Sequence, residues 1–312
     1  MCYNIHMNRL DIFNPFCAPV YYAPSVGSTM DEAQSLARAG APGGTVVCAD
    51  YQKAGRGRGV GRAWEARAGQ SLLFTILLRF PGSWEIPQAL TLRAGLAVAL
   101  AIEDFSLALA GRARIKWPND VMLPTPRGMR KAAGILAEAD EYCVRLGIGV
   151  NVSQAGFPAE LEGKATSVAL ASDEAVESAR RFELLGKILA RLCAELKPDG
   201  ATAWRERAEE RLHMRDEVGL FAEGAIGSSP PFAAVIAGIG LDGELLIVPE
   251  GAIEVRAFVT GEQMMGYAHR DRGKSGGDLG CVMRAAQQDV QGRVLLGGVP
   301  AQGVRERRGD TA

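Results

Sequence analysis

Hydrophobic and polar positions recur with different periods along this chain, and each period predicts an element. "SLLFTILLRF" (71–80) is nearly all apolar, as a strand buried on both faces should be. In "YCVRLGIGVNV" (142–152) the period is two. Val144, Leu146, Ile148, Val150 and Val152 share one face; Arg145, Gly147, Gly149 and Asn151 share the other. A face made of glycines and one amide leaves room for something to lie on it. "TVVCADYQ" (45–52), "RARIKWPND" (112–120, ended by Pro118) and "KAAGILAEAD" (131–140) read as further strands.

Helical periods separate these strands. "GSTMDEAQSLARAG" (27–40) offers Ser28 or Thr29 as N-cap, Asp31 and Glu32 in the first turn, and Gly40 as the stop. Pro87 opens an Ala- and Leu-rich helical stretch reaching Gly111. Two more helical stretches cover about 174–196 and 200–212. From about Glu217 the pattern turns to short strands. "AAVIAGIGLDGELLIV" (233–248) is a hairpin with Asp242-Gly243 at its turn, and "AIEVRAFVTGE" (252–262) continues it to about Gln263. These elements predict a leader (1–20), a main domain (21–212), a small β domain (213–266) and a disordered tail (267–312). The tail is rich in glycine and arginine, with Tyr267 its only aromatic residue.

Composition narrows the setting. A length of 312 residues with 47% hydrophobic content suits one large and one small domain. The net charge of −1 supplies no global field toward nucleic acid or a membrane. Six scattered cysteines without a C-x-x-C pair suit a reducing compartment, and three distant histidines argue against a His/Cys metal site. No apolar run approaches the roughly 18 residues of a membrane helix, and the first residues lack a signal-peptide core. A soluble cytoplasmic protein is expected.

Against this neutral background "AGRGRGVGRAW" (54–64) stands out. Gly55, Gly57, Gly59 and Gly61 alternate with Arg56, Arg58 and Arg62, and no acid interrupts them. Successive glycine N–H groups can form an anion nest, and arginine forks suit carboxylate and phosphate. No G-K-[ST] follows, and Val60 breaks a G-x-G-x-x-G match, so this is neither a Walker loop nor a dinucleotide fingerprint. A mobile loop that orders over its ligand is expected.

Three other stretches carry candidate chemistry, each with a plainer alternative. In "IKWPND" (115–120) Lys116 could meet a phosphate and Asp120 a divalent cation; a turn with a surface ion pair is the alternative. Lys131 could reach a ligand carboxylate or α-phosphate, or simply face solvent. Ser28 and Thr29 could serve a polar ligand at a helix N-terminus, or only cap the helix.

Taken in order, "GSTMDEA", "DYQKAGRGRGVGRAW", "SLLFTILLR", "RIKWPNDVML", "KAAGILAE" and "GIGVNV" resemble the biotin protein ligase family. The later "GIGLDGELLI" and "GAIEVRAFVTGE" resemble that family's C-terminal SH3-like domain, so the likeness runs from about 20 to 265. The resemblance implies an α+β fold, a mixed sheet flanked by helices as in class II aminoacyl-tRNA synthetases, with a small SH3-like β-barrel. It makes 21–212 the catalytic domain.

It also implies a reaction: biotin and ATP give biotinyl-5′-AMP, and biotin then passes to one lysine of a biotin carboxyl carrier protein, in acetyl-CoA carboxylase or a related enzyme. Ser28, Thr29, Gln52, Arg56, Arg58 and Lys131 are implied for biotin. Arg56, Arg58, Lys116 and Asn151 are implied for ATP, and Asp120 for Mg2+. Lys131, Arg58 and Asp120 are the implied catalytic set, with Asp120 also a candidate acid beside the acceptor lysine. Trp64 closes the loop motif as a packing residue. A carboxylate attacking an α-phosphate needs charge neutralisation and in-line placement but no general base, which fits the lack of a Ser-His-Asp arrangement.

Two departures matter. About 20 residues precede the catalytic motifs, too few for the helix-turn-helix of some family members, so no operator DNA is expected. The loop is one residue longer than the GRGR-x-GR-x-W form, which displaces Arg62. A weak homodimer and no membrane partner complete the expectations. The rivals are a lipoate ligase or octanoyltransferase, and a nucleic-acid-binding module. The latter needs aromatic residues among the basic ones, and only Tyr51 and Trp64 flank the loop.

Overall fold

The computed structural model describes residues 7–57, 64, 67–82, 85–141, 143–197, 203–222, 230–258 and 263–267, the last five as backbone. They fall into two units. One is built from residues up to Arg215 together with Gly238–Leu245, the other from Asp216–Ala237 and residues from Leu246 on.

The first unit runs β1 (Asn8–Leu10), β2 (Val20–Val26), α1 (Thr29–Arg38), β3 (Val46–Gln52), β4 (Ser71–Leu78), α2 (Leu90–Phe105), β5 (Arg114–Lys116), β6 (Asp120–Thr125), β7 (Gly128–Ala139), β8 (Val144–Asn151), α3 (Val168–Ser172), α4 (Arg181–Glu195) and α5 (Ala203–Glu210). Its eight strands lie in the order β1-β2-β3-β4-β8-β7-β6-β5. β2 and β3 are parallel, whereas β3/β4, β4/β8, β8/β7 and β7/β6 are antiparallel, so the sheet is mixed as expected.

Every residue of β4 is buried, because helices cover both faces of the sheet. On one face Leu72, Phe74, Ile76 and Leu78 join Leu146, Ile148 and Val150 under α2 and α4. Fully burying such a side chain contributes about 1.5–3 kcal/mol. α2 is buried on nearly all sides, which explains its unbroken Ala/Leu/Val composition. Its one buried cation, Arg93, donates to the carbonyls of Glu195 and Lys197 at the end of α4, where the helix dipole is negative. The opposite face takes α1, whose Ala33 and Ala37 settle on Val47 and Leu77. Small residues there bring the helix axis close to the sheet.

Several expectations need correction. Part of the 1–20 leader is integral to the sheet: β1 pairs antiparallel with β2, and the Asn14 amide donates to the carbonyls of Ala18 (2.8 Å) and Gly44 (2.9 Å). The helix expected from Pro87 to Gly111 begins at Leu90 and ends at Phe105, followed by one 3-10 turn at Leu107–Leu109. β1, β2, β6 and the five-residue α3 have no counterpart among the expected elements.

The second unit holds β9 (Val218–Ala222), β10 (Phe232–Ile239), β11 (Leu245–Pro249), β12 (Arg256–Phe258) and β13 (Gln263–Tyr267), ordered β12-β11-β10-β9-β13. The sheet therefore runs to Tyr267, slightly past the expected end. Phe221 packs between Phe232 and Phe258 at centroid distances of 6.0 and 5.0 Å. β12 and β13 are the edges of this five-stranded sheet, and closure into an SH3-like barrel is not among its described pairings. The tail expected to be disordered lies, beyond Tyr267, outside the described residues. Among the described residues no helix is long and apolar enough to cross a membrane.

Candidate active site

Strand register sets the site. One row of paired residues crosses the sheet as Ala23, Ala49, Leu73, Gly149, Gly134, Asp120 and Lys116. Directly paired residues point to the same face, here the face that carries α1. Gly134 and Gly149 therefore leave a gap in the middle of it. The indole of Trp64 fills that gap. A Cβ on Gly149 would stand 2.7 Å from the ring, and one on Gly134 would stand 3.0 Å from both the ring and Lys131 Nζ. The glycine face does make room, and the first group to use it comes from the end of the glycine-arginine loop.

Lys131 reaches this face through an irregularity. The β6/β7 register shifts between Val121↔Ala133 and Met122↔Lys131, which makes Ala132 an extra residue. Strict alternation would put Lys131 on the core face with Ala133 and Ile135. The bulge lets Ala132 and Ala133 both enter the core and turns Lys131 toward the cleft. There Nζ lies 2.6 Å from Asp120 Oδ1 and 5.7 Å from the Trp64 ring centroid, within cation–π range.

The other end of the cleft is the start of α1. Ser28 Oγ caps the helix by accepting from the Met30 N–H. Thr29 donates its N–H (2.8 Å) and Oγ1 (3.0 Å) to Gln52 Oε1, and Thr75 Oγ1 donates to Thr29 Oγ1 at 2.8 Å. Helix start and strand end are thus locked together. Arg56 sits above them with Nη1 2.8 Å from Asp31 and Nε 3.5 Å from Glu138. Such exposed pairs are worth about 0–1 kcal/mol, so an incoming anion can compete for the guanidinium.

The cleft between these groups measures about 480 Å3 with its open mouth included. Among the expected site residues Ser28, Thr29, Gln52, Arg56 and Lys131 line it. Arg58 lies outside the described residues. Asp120 joins through its pair with Lys131, and Lys116 is cross-strand partner to Asp120. Asn151 is buried two residues beyond Gly149 and donates to the Thr166 carbonyl (3.0 Å); Thr166 in turn donates its N–H to the Lys131 carbonyl. Asn151 thus supports the backbone of Lys131 and is not part of the lining.

Sequence reasoning passed over Asn119 and Met30, which line the cleft, and the buried His213 beside β5. Asn119 lines the cleft and holds Ile135 through two hydrogen bonds. Met30 directly follows the capping pair. His213 lies beside β5, donating its N–H to the Ile115 carbonyl at 2.8 Å. Burial, then the charges of Lys116 and Arg114, push its pKa down to about 4, so it is neutral at pH 7. Trp64, expected only to pack, also keeps its indole N–H buried with no acceptor among the described residues. An unpaired buried donor costs about 1–3 kcal/mol, which a ligand acceptor would relieve.

Known proteins resemble this arrangement. The model of the Biotin/lipoate A/B protein ligase family matches residues 22–151. A bifunctional ligase/repressor BirA from Bacillus spizizenii is 40% identical over 166 residues, 51% of this chain and 48% of that protein. The chain thus aligns with about half the length of that relative. A biotin–[acetyl-CoA-carboxylase] ligase from Paracoccus denitrificans is 37% identical over 193 residues, 58% of this chain and 77% of that protein. The chain belongs to the biotin protein ligase family.

A solved relative agrees. The biotin protein ligase from Aquifex aeolicus in complex with biotin and ATP superposes with a TM-score of 0.64 at 26% identity, covering 79% of this chain and 98% of that one. Within this biotin protein ligase fold the glycine-arginine loop leaves the sheet through a narrow neck. The Trp64 N–H donates to the Gly55 carbonyl at 3.2 Å, and the Gly69 N–H donates to the Asp50 carbonyl at 3.2 Å.

Proposed function

We propose that the chain is an ATP-dependent biotin protein ligase. The observation that carries this is the glycine-floored cleft, with hydroxyl and amide groups at one end and Lys131 at the other, in a chain of this family. The polar end suits a urea ring, and the ammonium of Lys131 suits the valerate carboxylate and the α-phosphate. An oxygen of the biotin carboxylate attacks the α-phosphorus of ATP, the bond to the bridging oxygen breaks, and pyrophosphate leaves. Lys131 and the arginines of the loop offset the charge that builds on the phosphorane oxygens. Trp64 and the loop exclude water from the acyl adenylate. A neutral acceptor lysine then attacks the acyl carbon, AMP departs, and the ammonium proton is released.

Asp120 is a weak candidate for a resident metal. Its carboxylate is already held by Lys131 at 2.6 Å. Mg2+ belongs instead to the nucleotide substrate, and Asp120 meets it only if the pair with Lys131 opens. Asp120 is better read as the counter-charge that keeps Lys131 aimed into the cleft. Lys116 and Arg58 remain our proposed contacts to the phosphates, and Asn151 acts on the nucleotide through the Lys131 backbone.

The proposed partner is the biotin carboxyl carrier domain of acetyl-CoA carboxylase or a related enzyme. The free thiols of Cys17, Cys48, Cys143 and Cys193 favour a reducing cytoplasm. The test is ATP–pyrophosphate exchange with biotin and with lipoate, followed by mass analysis of a carrier domain. Exchange driven by biotin, with one acceptor lysine modified, is expected. Exchange driven by lipoate alone would replace this proposal with a lipoate ligase.

A further inference from the structure

One side chain in the cleft has a role that the adenylation chemistry does not require. Met30 is only 4% exposed and stands in the first turn of α1. The Ser28 cap on its N–H fixes its backbone at the helix start. Its thioether rests on Gly147: a Cβ there would lie 2.8 Å from Met30 Sδ and 3.4 Å from Cγ. Both residues line the cleft. Gly147 is therefore the third open position on the glycine face, and it is filled from the helix instead of from the loop.

Polarity divides this inner end of the cleft. Ser28, Thr29 and Gln52 present oxygen and nitrogen atoms. Met30 over Gly147 presents an apolar, polarisable seat. A biotin head divides in the same way. Its urea ring needs hydrogen bonds, whereas its sulfur-bearing ring has none to make.

Resting on the ligase activity proposed above, we infer that Met30 is a specificity-determining residue that gauges the sulfur-bearing ring of the acyl substrate. Gly147 lets the thioether retreat to the depth the ring requires. A shorter residue at position 30 leaves a void along the ring and forfeits its dispersion contacts. A side chain at position 147 drives the thioether up into the space of the ring.

The test is steady-state ATP–pyrophosphate exchange with biotin and with desthiobiotin, which keeps the urea ring and the terminal carboxylate but lacks the sulfur and the ring it closes. Met30→Ala raises the KM for biotin about tenfold, and that for desthiobiotin less than about twofold, so the preference for biotin collapses. The effect falls on the acyl-substrate KM and not on kcat or the KM for ATP. Gly147→Ala carries the same selective loss by pushing Sδ from below. In the double variant the losses combine to less than their product, because the shortened side chain gives the new methyl group space. Equal KM increases for both acyl substrates, or multiplicative losses in the double variant, overturn the assignment. If Met30→Ala does not fold, the Gly147→Ala comparison decides alone. Exchange by the unsubstituted chain separates the two claims. Without biotin-dependent exchange the ligase proposal fails; with it, and with unselective variants, only the role of Met30 fails.

Discussion

The two faces of the eight-stranded sheet are made from the same strands and differ in almost everything else. Under α2 and α4 the strand positions carry apolar side chains, mostly Leu, Ile, Val and Phe with Cys48, Ala132 and Ala133 among them, and the face is closed. Under α1 the central positions are Gly134, Gly147 and Gly149, and their space is taken by Lys131, Met30 and Trp64, which reach in from a bulge, a helix and a loop. One face stabilises the fold through its own side chains. The other is emptied of them so that groups from elsewhere, and a substrate, can be brought to a fixed backbone. Rigidity on the first face is what makes the second usable, since packed interiors do not deform smoothly.

Four substitutions can break this contrast, beginning with the largest effect. Lys131→Ala abolishes adenylate formation, by about a thousandfold or more in exchange rate, while the thermal midpoint stays within a few degrees. A residual rate near that of the parent would remove Lys131 from the chemistry. Gly149→Ala fills the open face and displaces Trp64, and biotin-dependent exchange falls about a hundredfold with little loss of stability. If Gly149→Ala instead unfolds the chain and leaves the surviving activity intact, the open face is structural. Leu146→Ala, three residues before Gly149 and on the closed face, shows the reverse pattern. It costs about 2–5 kcal/mol in urea unfolding, and the activity per folded molecule is retained.

The smallest effect is the pH response of His213. Its folded pKa lies below the unfolded one, so the stability it contributes is present above about pH 6.5 and is lost as the pH falls toward about 4. His213→Asn removes that part of the acid sensitivity. Unfolding midpoints compared at pH 7 and pH 4.5 check this, and identical acid losses in both proteins would refute it.

Much of this was legible along the chain. The period of two in 142–152 assigned Leu146 and Gly149 to opposite faces correctly, because alternation needs no knowledge of the neighbouring strand. The Ser28 cap and the start of α1 were readable because a cap is local. β1, β2 and β6 were missed because a three-residue strand has no period and because Pro24 and Pro124 mask the other two. The helix begun at Pro87 was extended too far because Ala and Leu continue past Ser106. Most instructive is Lys131. Its place at the cleft depends on an extra residue opposite β6, and simple alternation would have buried it. Its ion pair with Asp120 follows from the same bulge, and no local pattern announces either.

The neck of the glycine-arginine loop carries a last consequence. Gly55 is clamped to Trp64, and Asp50 of β3 to Gly69, so both ends of the segment are fixed to the scaffold. Lengthening such a segment costs only about 0.6 kcal/mol per doubling. A change of one residue between the clamps is therefore cheap to the fold. The same clamp offers a grafting point, where segments of other lengths can be exchanged without rebuilding the floor beneath them.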